Sequence, residues 1–422
     1  MKKFVFIAIA LALVPACSSA RSQLPRQWTA FRYNPELNAA VAQRSGIDVR
    51  WTFKTDGGIS SSPTLSGNTL FVASNGGSLY ALNLLTGKLR WRFKARNDLM
   101  TAPLVIGQTV IVAEGNNYGT NFDPNHYLLL GTGSNRILGI DAATGTQKWE
   151  FAVPASAMTT GAIVDGMYVH HDASGMLFAI DAATGKYRWR EYLKSSATMS
   201  AANRFRGNDV VTAGDYPDDA IAFDGKTGRI LWRKHFPDDS AAFDDCPIAS
   251  DGSNVYGMYL AHPAGSKYHF VGYTTPGVEH AYALSGKTGR LLWDTTLVRG
   301  KVPINNAASI PLVYHGMLYV GSAMRQTLFA VDTRTGKIRW KLHVNGKVKG
   351  GKVAVDGIVY FGDTSGTLWA VAATSGKVLG EKRMPDSFNV GSPIIVGRTL
   401  IVGSKKGYVY ALPLDSLLTK HR

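Results

Sequence analysis

Two groups of aspartates are candidate ligands of a cation. One comprises Asp215, Asp218 and Asp219, and the other lies between residues 238 and 245. Calcium takes about six to eight oxygen ligands at close range, and paired aspartates could supply part of that set. Neither group has the regular ligand spacing of a calcium-binding helix–loop–helix, so we interpret both as turn residues exposed to solvent.

Histidines are the other candidate metal ligands. His170 and His171 are adjacent, and because adjacent residues of a strand face opposite ways, they could bind a metal only with ligands from elsewhere. His262, His269 and His280 do not have the spacing of a zinc site. The chain also has no serine nucleophile elbow and no phosphate-binding loop before a helix. We therefore expect no metal site, no catalytic residue and no cofactor.

The elements that must position these residues are set by an eleven-residue motif that occurs seven times. One copy, from Ala179 to Trp189, reads Ala-Ile-Asp-Ala-Ala-Thr-Gly-Lys-Tyr-Arg-Trp. Six copies end in a tryptophan, four residues after the glycine, whereas the seventh ends in Gly380. A repeat of about 40–60 residues indicates one supersecondary unit that is built many times.

Each motif predicts a β-hairpin, because an alternating strand precedes the Thr-Gly turn and another follows it. Two further strands lie upstream of most hairpins, so each unit predicts a four-stranded antiparallel propeller blade. We expect the repeated tryptophan to fill the space between blades and to donate its N–H to a backbone carbonyl. Gly380 should leave one blade without this contact. The residues assigned this role are Trp51, Trp91, Trp149, Trp189, Trp232, Trp293 and Trp340.

The strand count predicts eight blades. The inner strand of the hairpin occurs eight times, and the outer strand reaches the same number only if Val49–Phe53 is included. The last inner strand, which ends at Leu412, has no outer strand after it. We therefore predict that the N-terminal strand closes the ring with the C-terminal blade, which removes free sheet edges. The expected fold is an all-β, eight-bladed propeller, with seven blades as the alternative.

The N-terminus has the pattern of an export signal. Two lysines precede an apolar run from Phe4 to Val14, which is too short to span a bilayer. The end of this run, Leu13 to Cys17, resembles a bacterial lipobox. We expect residues 1–17 to be a lipoprotein signal peptide and Cys17 to be acylated, which would anchor the chain in a membrane.

The rest of the chain divides by composition and repeat. Residues 18–47 are the expected tether and lead-in, 48–413 the propeller, and 414–422 a C-terminal tail. Ser18 follows the lipobox cysteine, which by resemblance to bacterial sorting favours the periplasmic face of the outer membrane. With Cys17 acylated, Cys246 has no second cysteine for an intramolecular disulfide.

The net charge of +16 is spread over the repeats. Positive charge that is distributed over all the repeats is typical of solvated outer strands. The alternative interpretation is that the charge attracts the protein to an anionic surface such as lipid head groups. Because no aromatic–basic cluster accompanies the charge, we exclude a nucleic-acid partner.

Two of the intervals between successive motifs are longer than a four-stranded blade requires. The first carries extra residues within Asn116–Tyr127, and the second carries them within Asp244–His280. Insertions in repeat proteins mark loops on one face, which is often the binding face. Tolerated variation in loop length is the alternative interpretation.

The motif Ala-x-Asp-x-x-Thr-Gly-Lys-x-x-Trp resembles the tryptophan-docking repeat of the pyrroloquinoline-quinone (PQQ) propeller superfamily, over about residues 48–413. Chain length, lipobox and blade count are most similar to the BamB lipoproteins of the outer-membrane β-barrel assembly machinery. That resemblance implies a scaffold without catalysis that binds a BamA-like POTRA domain. The nearest match to the partner-binding loop is Tyr192–Arg206, where Arg204 and Arg206 are the candidate contacts.

A second branch of the superfamily, the quinoprotein dehydrogenases, is also similar in repeats and export. Its members carry adjacent cysteines and calcium ligands around the quinone, and this chain has no adjacent cysteines. The expected function is therefore a lipid-anchored periplasmic scaffold that is not an enzyme. The alternatives are a PQQ-dependent dehydrogenase and a propeller lipoprotein of another envelope complex.

Overall fold

The computed structural model describes residues 46–419 apart from short segments, together with two isolated strands before residue 46. The segments outside the description are 117–121, 124–127, 198–200, 216–217, 237–247, 262–275, 302–308, 323 and 389. Cys17 and Cys246 both lie outside the described residues, as do the aspartates between 238 and 245.

Strands account for nearly all the regular structure. The first are β1 (Gln27–Trp28), β2 (Ala40–Val41), β3 (Trp51–Lys54), β4 (Thr64–Ser66), β5 (Thr69–Ser74), β6 (Ser78–Asn83), β7 (Leu89–Lys94), β8 (Leu104–Ile106), β9 (Thr109–Glu114), β10 (Phe122–Asp123), β11 (Leu128–Leu129), β12 (Arg136–Asp141), β13 (Gln147–Ala152), β14 (Ala162–Val164), β15 (Met167–His171), β16 (Met176–Asp181), β17 (Tyr187–Tyr192), β18 (Asn203–Arg206), β19 (Asp209–Asp215), β20 (Asp218–Asp224) and β21 (Ile230–His235). The remainder are β22 (Ala249–Ser250), β23 (Asn254–Ala261), β24 (Pro276–Ser285), β25 (Leu291–Lys301), β26 (Leu312–Tyr314), β27 (Met317–Ser322), β28 (Thr327–Asp332), β29 (Ile338–His343), β30 (Lys352–Val355), β31 (Ile358–Gly362), β32 (Thr367–Ala372), β33 (Val378–Arg383), β34 (Ile394–Val396), β35 (Thr399–Gly403) and β36 (Tyr408–Pro413), followed by a 3-10 helix at Leu414–Leu417.

The strands form a ring of eight four-stranded antiparallel blades, as the sequence predicts. In chain order the blades are β4–β7; β8, β9, β12 and β13; β14–β17; β18–β21; β22–β25; β26–β29; β30–β33; and β34–β36 with β3. Strand β3 pairs with β36 and places Trp51 opposite Ala411. Closure of the ring by the N-terminal strand is therefore confirmed, and the seven-blade alternative is wrong.

The Thr-Gly turn of the motif is built from short-range hydrogen bonds. In the third blade, Asp181 Oδ1 accepts the backbone N–H of Ala183 at 3.2 Å and of Thr184 at 2.9 Å. Gly185 follows with a φ of +70°, in the region that favours glycine. A Cβ at Gly185 would also lie 2.7 Å from the ring of Trp149. Glycine is thus required both for the turn and for the approach of the previous blade.

Each motif tryptophan packs on the Thr-Gly turn of the next blade. Five of these indoles donate their N–H to a backbone carbonyl, with Nε1···O distances of 2.8–3.1 Å. The pairs are Trp51 with Leu84, Trp91 with Ala142, Trp232 with Gly286, Trp293 with Thr333, and Trp340 with Ala373. Trp149 and Trp189 pack on Gly185 and Gly228 in the same way. Their Nε1 atoms have no hydrogen-bond partner in the described part of the chain.

Gly380, which takes the place of a tryptophan in the seventh blade, does not leave an open contact. The eighth blade has no Thr-Gly turn, because its outer strand is β3, and the chain after β36 occupies that place instead. A Cβ at Gly380 would lie 2.0 Å from the carbonyl oxygen of Leu417. Thr419 N–H also donates to Leu379 O at 2.9 Å. The C-terminal segment therefore makes the contact that we expected to be missing.

Replacing Gly380 by alanine is expected to lower the free energy of unfolding by about 1–3 kcal/mol, because the new methyl group overlaps backbone that cannot move freely. Urea denaturation would measure the change. Gly46→Ala is the control, since a Cβ at Gly46 would meet nothing within 4 Å. Equal midpoints for the two variants would show that the C-terminal segment does not hold the seventh blade.

Blade topology defines two faces of the ring. The "turn face" carries the tight turns after the first strand of each blade and the Thr-Gly turns after the third. The "connection face" carries the links after the second and fourth strands. The strand ends that the two long intervals join all lie at the connection face, because these intervals link β9 to β12, β21 to β22, and β23 to β24.

Part of the lead-in lies against the axis of the ring. The first strand of each blade lines the channel. β1 pairs antiparallel with β4, and β2 pairs parallel with β30. Both short strands therefore occupy inner sheet edges. No helix within the described residues is long and apolar enough to cross a membrane.

Candidate functional site

Blade five brings a tyrosine, a histidine and an aspartate into contact. Tyr259 on β23 lies opposite His280 on β24, and their rings stack at 4.6 Å. Asp294 on β25 lies one residue after Trp293, diagonally across from His280. His280 Nδ1 donates to Asp294 Oδ1 at 2.7 Å, and the Tyr259 hydroxyl donates to Asp294 Oδ2 at 2.5 Å. One carboxylate thus holds both rings.

This arrangement fixes the tautomer of the neutral His280 ring. Because Nδ1 of His280 donates to the carboxylate, Nε2 is the proton acceptor of the neutral ring. The His280 side chain is 18% exposed and that of Asp294 is 27% exposed, so water can reach them. Burial, and then the hydrogen bond to Asp294, raise the pKa of Tyr259 well above its usual value. Its hydroxyl remains a proton donor.

The local sequence explains why these three side chains meet. Blade five has the longest strands, with β24 and β25 extending beyond the blade at the connection face. A register shift between Glu279 and His280 changes the pairing with β25. Such bulges re-aim side chains and occur next to active sites. The motif register, which pairs Ala283 with Trp293, could have placed His280 near Asp294 from the sequence.

Blade four carries a second carboxylate–histidine pair. Asp219 is 1% exposed and accepts from Arg233 Nη1 and His235 Nδ1, each at 2.8 Å. Its interpretation as a solvated turn residue is therefore wrong, because the strand register buries it beside Arg233 and His235. The ring centroid of Phe236 lies 4.9 Å from that of Tyr259. This contact links the aspartate–histidine pair of blade four to that of blade five.

The aspartate–histidine groups of blades four and five lie beside the second long interval of the sequence. The segments 237–247 and 262–275 follow the ends of β21 and β23. His235 lies at the end of β21, and Tyr259 lies near the end of β23. His262 and His269 lie outside the described residues. Within the described ranges, no group of three or more His, Cys, Asp or Glu side chains is placed to hold a metal ion.

Arg204 and Arg206 lie at the opposite end of blade four from Asp219 and His235, on β18 at the turn face. Arg204 Nε donates to Gly207 O, and Arg206 forms an ion pair with Asp209 at 3.1 Å. The Arg206 side chain is 53% exposed. The structure thus places both arginines in local contacts at a surface turn.

His170 and His171 are buried between blades. The other blades mostly have apolar residues at these positions, as in Val112-Ala113. His171 Nε2 donates to Ser195 O at 2.6 Å. Burial lowers the pKa of His170 to about 3 and that of His171 to about 4. Both rings are therefore neutral in the folded chain at neutral pH.

Acidification is expected to destabilise the fold through these two rings. Their folded pKa values lie below the unfolded value near 6.5, so their stabilising contribution is complete above that pH and is lost as the pH falls towards 4. Each ring costs up to about 1.4 kcal/mol per pH unit over that range. Asp172 opposes this change, because burial raises its pKa to about 6 and the folded chain favours its protonated form at low pH.

Urea unfolding at several pH values would measure this dependence. The double variant His170→Val with His171→Ala should flatten the fall in stability between pH 6.5 and 4. The control His343→Ala removes an exposed ring and should leave the dependence unchanged. An unchanged slope in the double variant would contradict the assignment to the buried pair.

Eight four-stranded blades that are joined by the tryptophan of a Thr-Gly motif define a PQQ-like β-propeller. A family model described as "Outer membrane protein assembly factor BamB" matches residues 36–126, 117–244 and 259–416. The chain belongs to this family. Its fold is similar to that of BamB from Moraxella catarrhalis, with a TM-score of 0.65 and 15% identity over 88% of this chain and 97% of that one.

Two named relatives are enzymes. Tetrathionate hydrolase of Acidithiobacillus ferrooxidans is 27% identical over 296 residues, which cover 68% of this chain and 57% of that protein. Polyvinylalcohol dehydrogenase of a Pseudomonas species is 23% identical over 393 residues, which cover 92% of this chain and 47% of that protein. The chain therefore spans about half the length of each of these relatives.

These relatives correct one expectation from the sequence. The chain was expected to have no catalytic role, because no recognised motif for a nucleophile, a metal or a cofactor is present. That expectation is wrong, since both relatives point towards enzyme activity. His280 and Asp294, which lie 14 residues apart in a hairpin, form no such motif and are related only by the pairing register of the two strands.

Proposed function

We propose that this chain is an envelope enzyme that hydrolyses a small anionic substrate at blade five. The observation that carries the proposal is the hydrogen-bonded set of Tyr259, His280 and Asp294. A partly exposed imidazole held by a carboxylate has the arrangement of a general base for water activation. The similarity to tetrathionate hydrolase supports hydrolysis as the reaction class and a sulfur oxyanion as the substrate class.

Each side chain has a separate part in this proposal. With tetrathionate as substrate, His280 Nε2 takes a proton from water as the water oxygen attacks one of the two central sulfur atoms. The bond between the two central sulfur atoms breaks, and thiosulfate leaves with the bonding electron pair. Asp294 keeps the ring oriented and stabilises the imidazolium that forms. Tyr259 keeps its proton and fixes the second carboxylate oxygen. The net charge of +16 raises the local concentration of an anion near the protein.

A quinone-dependent reaction has less support from the residues in place. The superfamily's dehydrogenases hold PQQ with calcium ligands and adjacent cysteines, whereas the two cysteines here are 17 and 246. The described side chains also supply no cluster of three or more His, Cys, Asp or Glu for a cation. These residues do not fit the quinone, so no step of the proposed reaction involves it.

The test is direct turnover by the purified full chain. Tetrathionate is supplied as substrate, and its loss and the release of thiosulfate are followed with time. Catalytic turnover supports the proposal. If tetrathionate and other polythionates are stable in the presence of the folded protein, the hydrolase assignment is wrong. Dye reduction by polyvinyl alcohol on addition of PQQ and calcium would instead favour the dehydrogenase.

A second role in outer-membrane protein assembly is favoured by the family match. The BamB model covers most of the chain, and the chain matches 97% of the length of the BamB structure. In this role Cys17 would carry the lipid anchor at the periplasmic face of the outer membrane. Arg204 and Arg206 would contact a BamA-like POTRA domain.

Cross-linking in intact envelopes, followed by pull-down, tests the assembly role. Recovery of a barrel-assembly component that is lost in Arg204→Ala with Arg206→Ala supports it. Labelling with radioactive palmitate, with and without Cys17→Ser, tests the anchor separately. Recovery of no assembly component from envelopes would rule out this second role.

A further inference from the structure

Exposed apolar side chains are concentrated at one position of the motif. Among the described residues, nine large hydrophobic side chains are well exposed, and six of these lie two residues after the motif glycine. Their exposed fractions run from 37% to 53%. The six are Leu89, Tyr187, Ile230, Leu291, Ile338 and Val378. A shared position in every copy but one is not the pattern of isolated surface residues.

A cation precedes each of these apolar residues. The six cations are Lys88, Lys186, Arg229, Arg290, Lys337 and Lys377. All six are exposed and form no ion pair among the described residues. The second copy alone differs, with Thr146 and Gln147 at these two positions. We call the twelve residues of the other six copies the "basic–apolar ring".

The basic–apolar ring lies at one side of the molecule. Every motif turn joins the third and fourth strands of its blade, so all the turns belong to the turn face. Three carboxylates near these turns already form ion pairs. Asp181 pairs with Arg188 at 2.6 Å and Asp332 with Arg339 at 2.7 Å. Asp165 pairs with Lys226. The cations of the ring are additional to these pairs, so this rim has excess positive charge.

The path of the chain supplies a second, independent observation. Gln27 pairs with Ser66, the last residue of β4 before its turn, whereas Trp28 pairs with Leu65. Strand β1 therefore begins at the turn-face end of the channel. The stretch from Cys17 to Gln27 can reach at most about 35 Å when fully extended. An anchor at Cys17 would thus hold the turn face close to the bilayer.

We propose that the turn face docks on an anionic membrane surface through the basic–apolar ring. Exposed cations attract acidic head groups, and apolar side chains interleaved with them enter the boundary of the acyl region. A flat ring can present all six copies to a planar surface at once. The connection face, with the site in blade five, then points away from the membrane. The inference does not depend on the enzymatic role.

The test is sedimentation with lipid vesicles, using the chain from residue 18 onward. This chain keeps every described strand and lacks both the apolar leader and Cys17. Vesicles of phosphatidylcholine alone are compared with vesicles that also contain phosphatidylglycerol. Binding is expected to the anionic vesicles and is expected to weaken with added salt, because the charges are exposed.

A ring variant can be designed from the chain's own second copy. The variant carries Lys186→Thr, Tyr187→Gln, Lys337→Thr and Ile338→Gln, which convert two copies to the Thr-Gln pair of Thr146 and Gln147. Its partition to anionic vesicles should fall about tenfold or more. The matched control, Lys405→Thr with Lys406→Gln, removes two exposed cations from the connection face and should bind normally.

The reverse change should strengthen binding. Thr146→Lys with Gln147→Leu completes the ring and should raise the partition several-fold. Equal losses in the ring variant and the control would mean that net charge alone acts, and would overturn the proposal. Absence of binding to anionic vesicles would also overturn it and would leave an acidic protein as the partner of the ring. Circular dichroism verifies that each variant is folded.

Discussion

His280→Gln is expected to lower the rate of tetrathionate hydrolysis by about 10²–10⁴-fold, which is the usual contribution of a general base. Glutamine keeps the polar volume of the ring but has no group that accepts a proton near neutral pH. The carboxylate of Asp294 would lose its imidazole partner, now held at 2.7 Å, and would keep the Tyr259 hydroxyl. The effect should fall on kcat more than on KM, because proton transfer belongs to the chemical step.

Asp294→Asn tests the orientation of the ring separately. An amide could donate to Nδ1 of His280 and so favour the tautomer in which Nε2 carries the proton. That ring cannot accept a proton from water, so kcat should again fall. Asp294→Glu should recover part of the activity, whereas a residue needed only for stability would not show this difference. Tyr259→Phe should have a smaller effect, since it removes one hydrogen bond from the carboxylate.

Controls must exclude a general loss of structure. His343→Gln changes an exposed histidine at the same end of the next blade and should leave kcat/KM unchanged. Urea midpoints would be compared for all variants. Full activity in His280→Gln would show that the chemistry occurs elsewhere in the propeller, even if the wild-type chain hydrolyses tetrathionate.

Arg136→Met is expected to lower the free energy of unfolding by about 3–5 kcal/mol, the usual cost of leaving a buried charge without its partner. Arg136 Nε donates to Glu114 Oε1 at 2.5 Å, and the Glu114 side chain is 0% exposed. The Ser134 hydroxyl and the Arg96 N–H also donate to Glu114. Two neutral donors cannot replace the guanidinium in balancing a carboxylate that water does not reach.

A second substitution distinguishes loss of charge balance from loss of packing. Glu114→Gln combined with Arg136→Met removes both charges and keeps an acceptor for Ser134, so it should be more stable than Arg136→Met alone. The control Arg188→Met breaks the pair with Asp181, where the arginine is 53% exposed, and should cost at most about 1 kcal/mol. Similar losses for Arg136→Met and Arg188→Met would refute a special role for the buried pair.

The architecture could be predicted because one motif specifies it repeatedly. Strand alternation, the Thr-Gly turn and the tryptophan are all local in the sequence, and each copy gives the same answer. The unpaired strand at Trp51 and the unpaired strand ending at Leu412 then required closure of the ring. The contact at Gly380 could not be predicted in this way, because its partner is the C-terminal segment, which belongs to no repeat.

The repeat gives only part of the candidate site. The sequence predicts that Asp219 is a turn residue. In the structure, pairing of β20 with β21 places Asp219 beside His235 and buries it. Tyr259, His280 and Asp294 come from three strands. The motif register relates His280 to Asp294, whereas the contact of Tyr259 depends on the pairing of β23 with β24, which no motif specifies.

The sequence by itself determined the blade, the number of blades and the closure of the ring, because hydrophobic alternation and turn chemistry act over a few residues. Only the tertiary structure decided which polar side chains meet. The hydrogen bond of Tyr259 to Asp294 joins the second and fourth strands of blade five, and the packing of Phe236 on Tyr259 joins neighbouring blades. The tertiary structure also set the six cation–apolar pairs on one rim, because the direction of the strands assigns every motif turn to the same face.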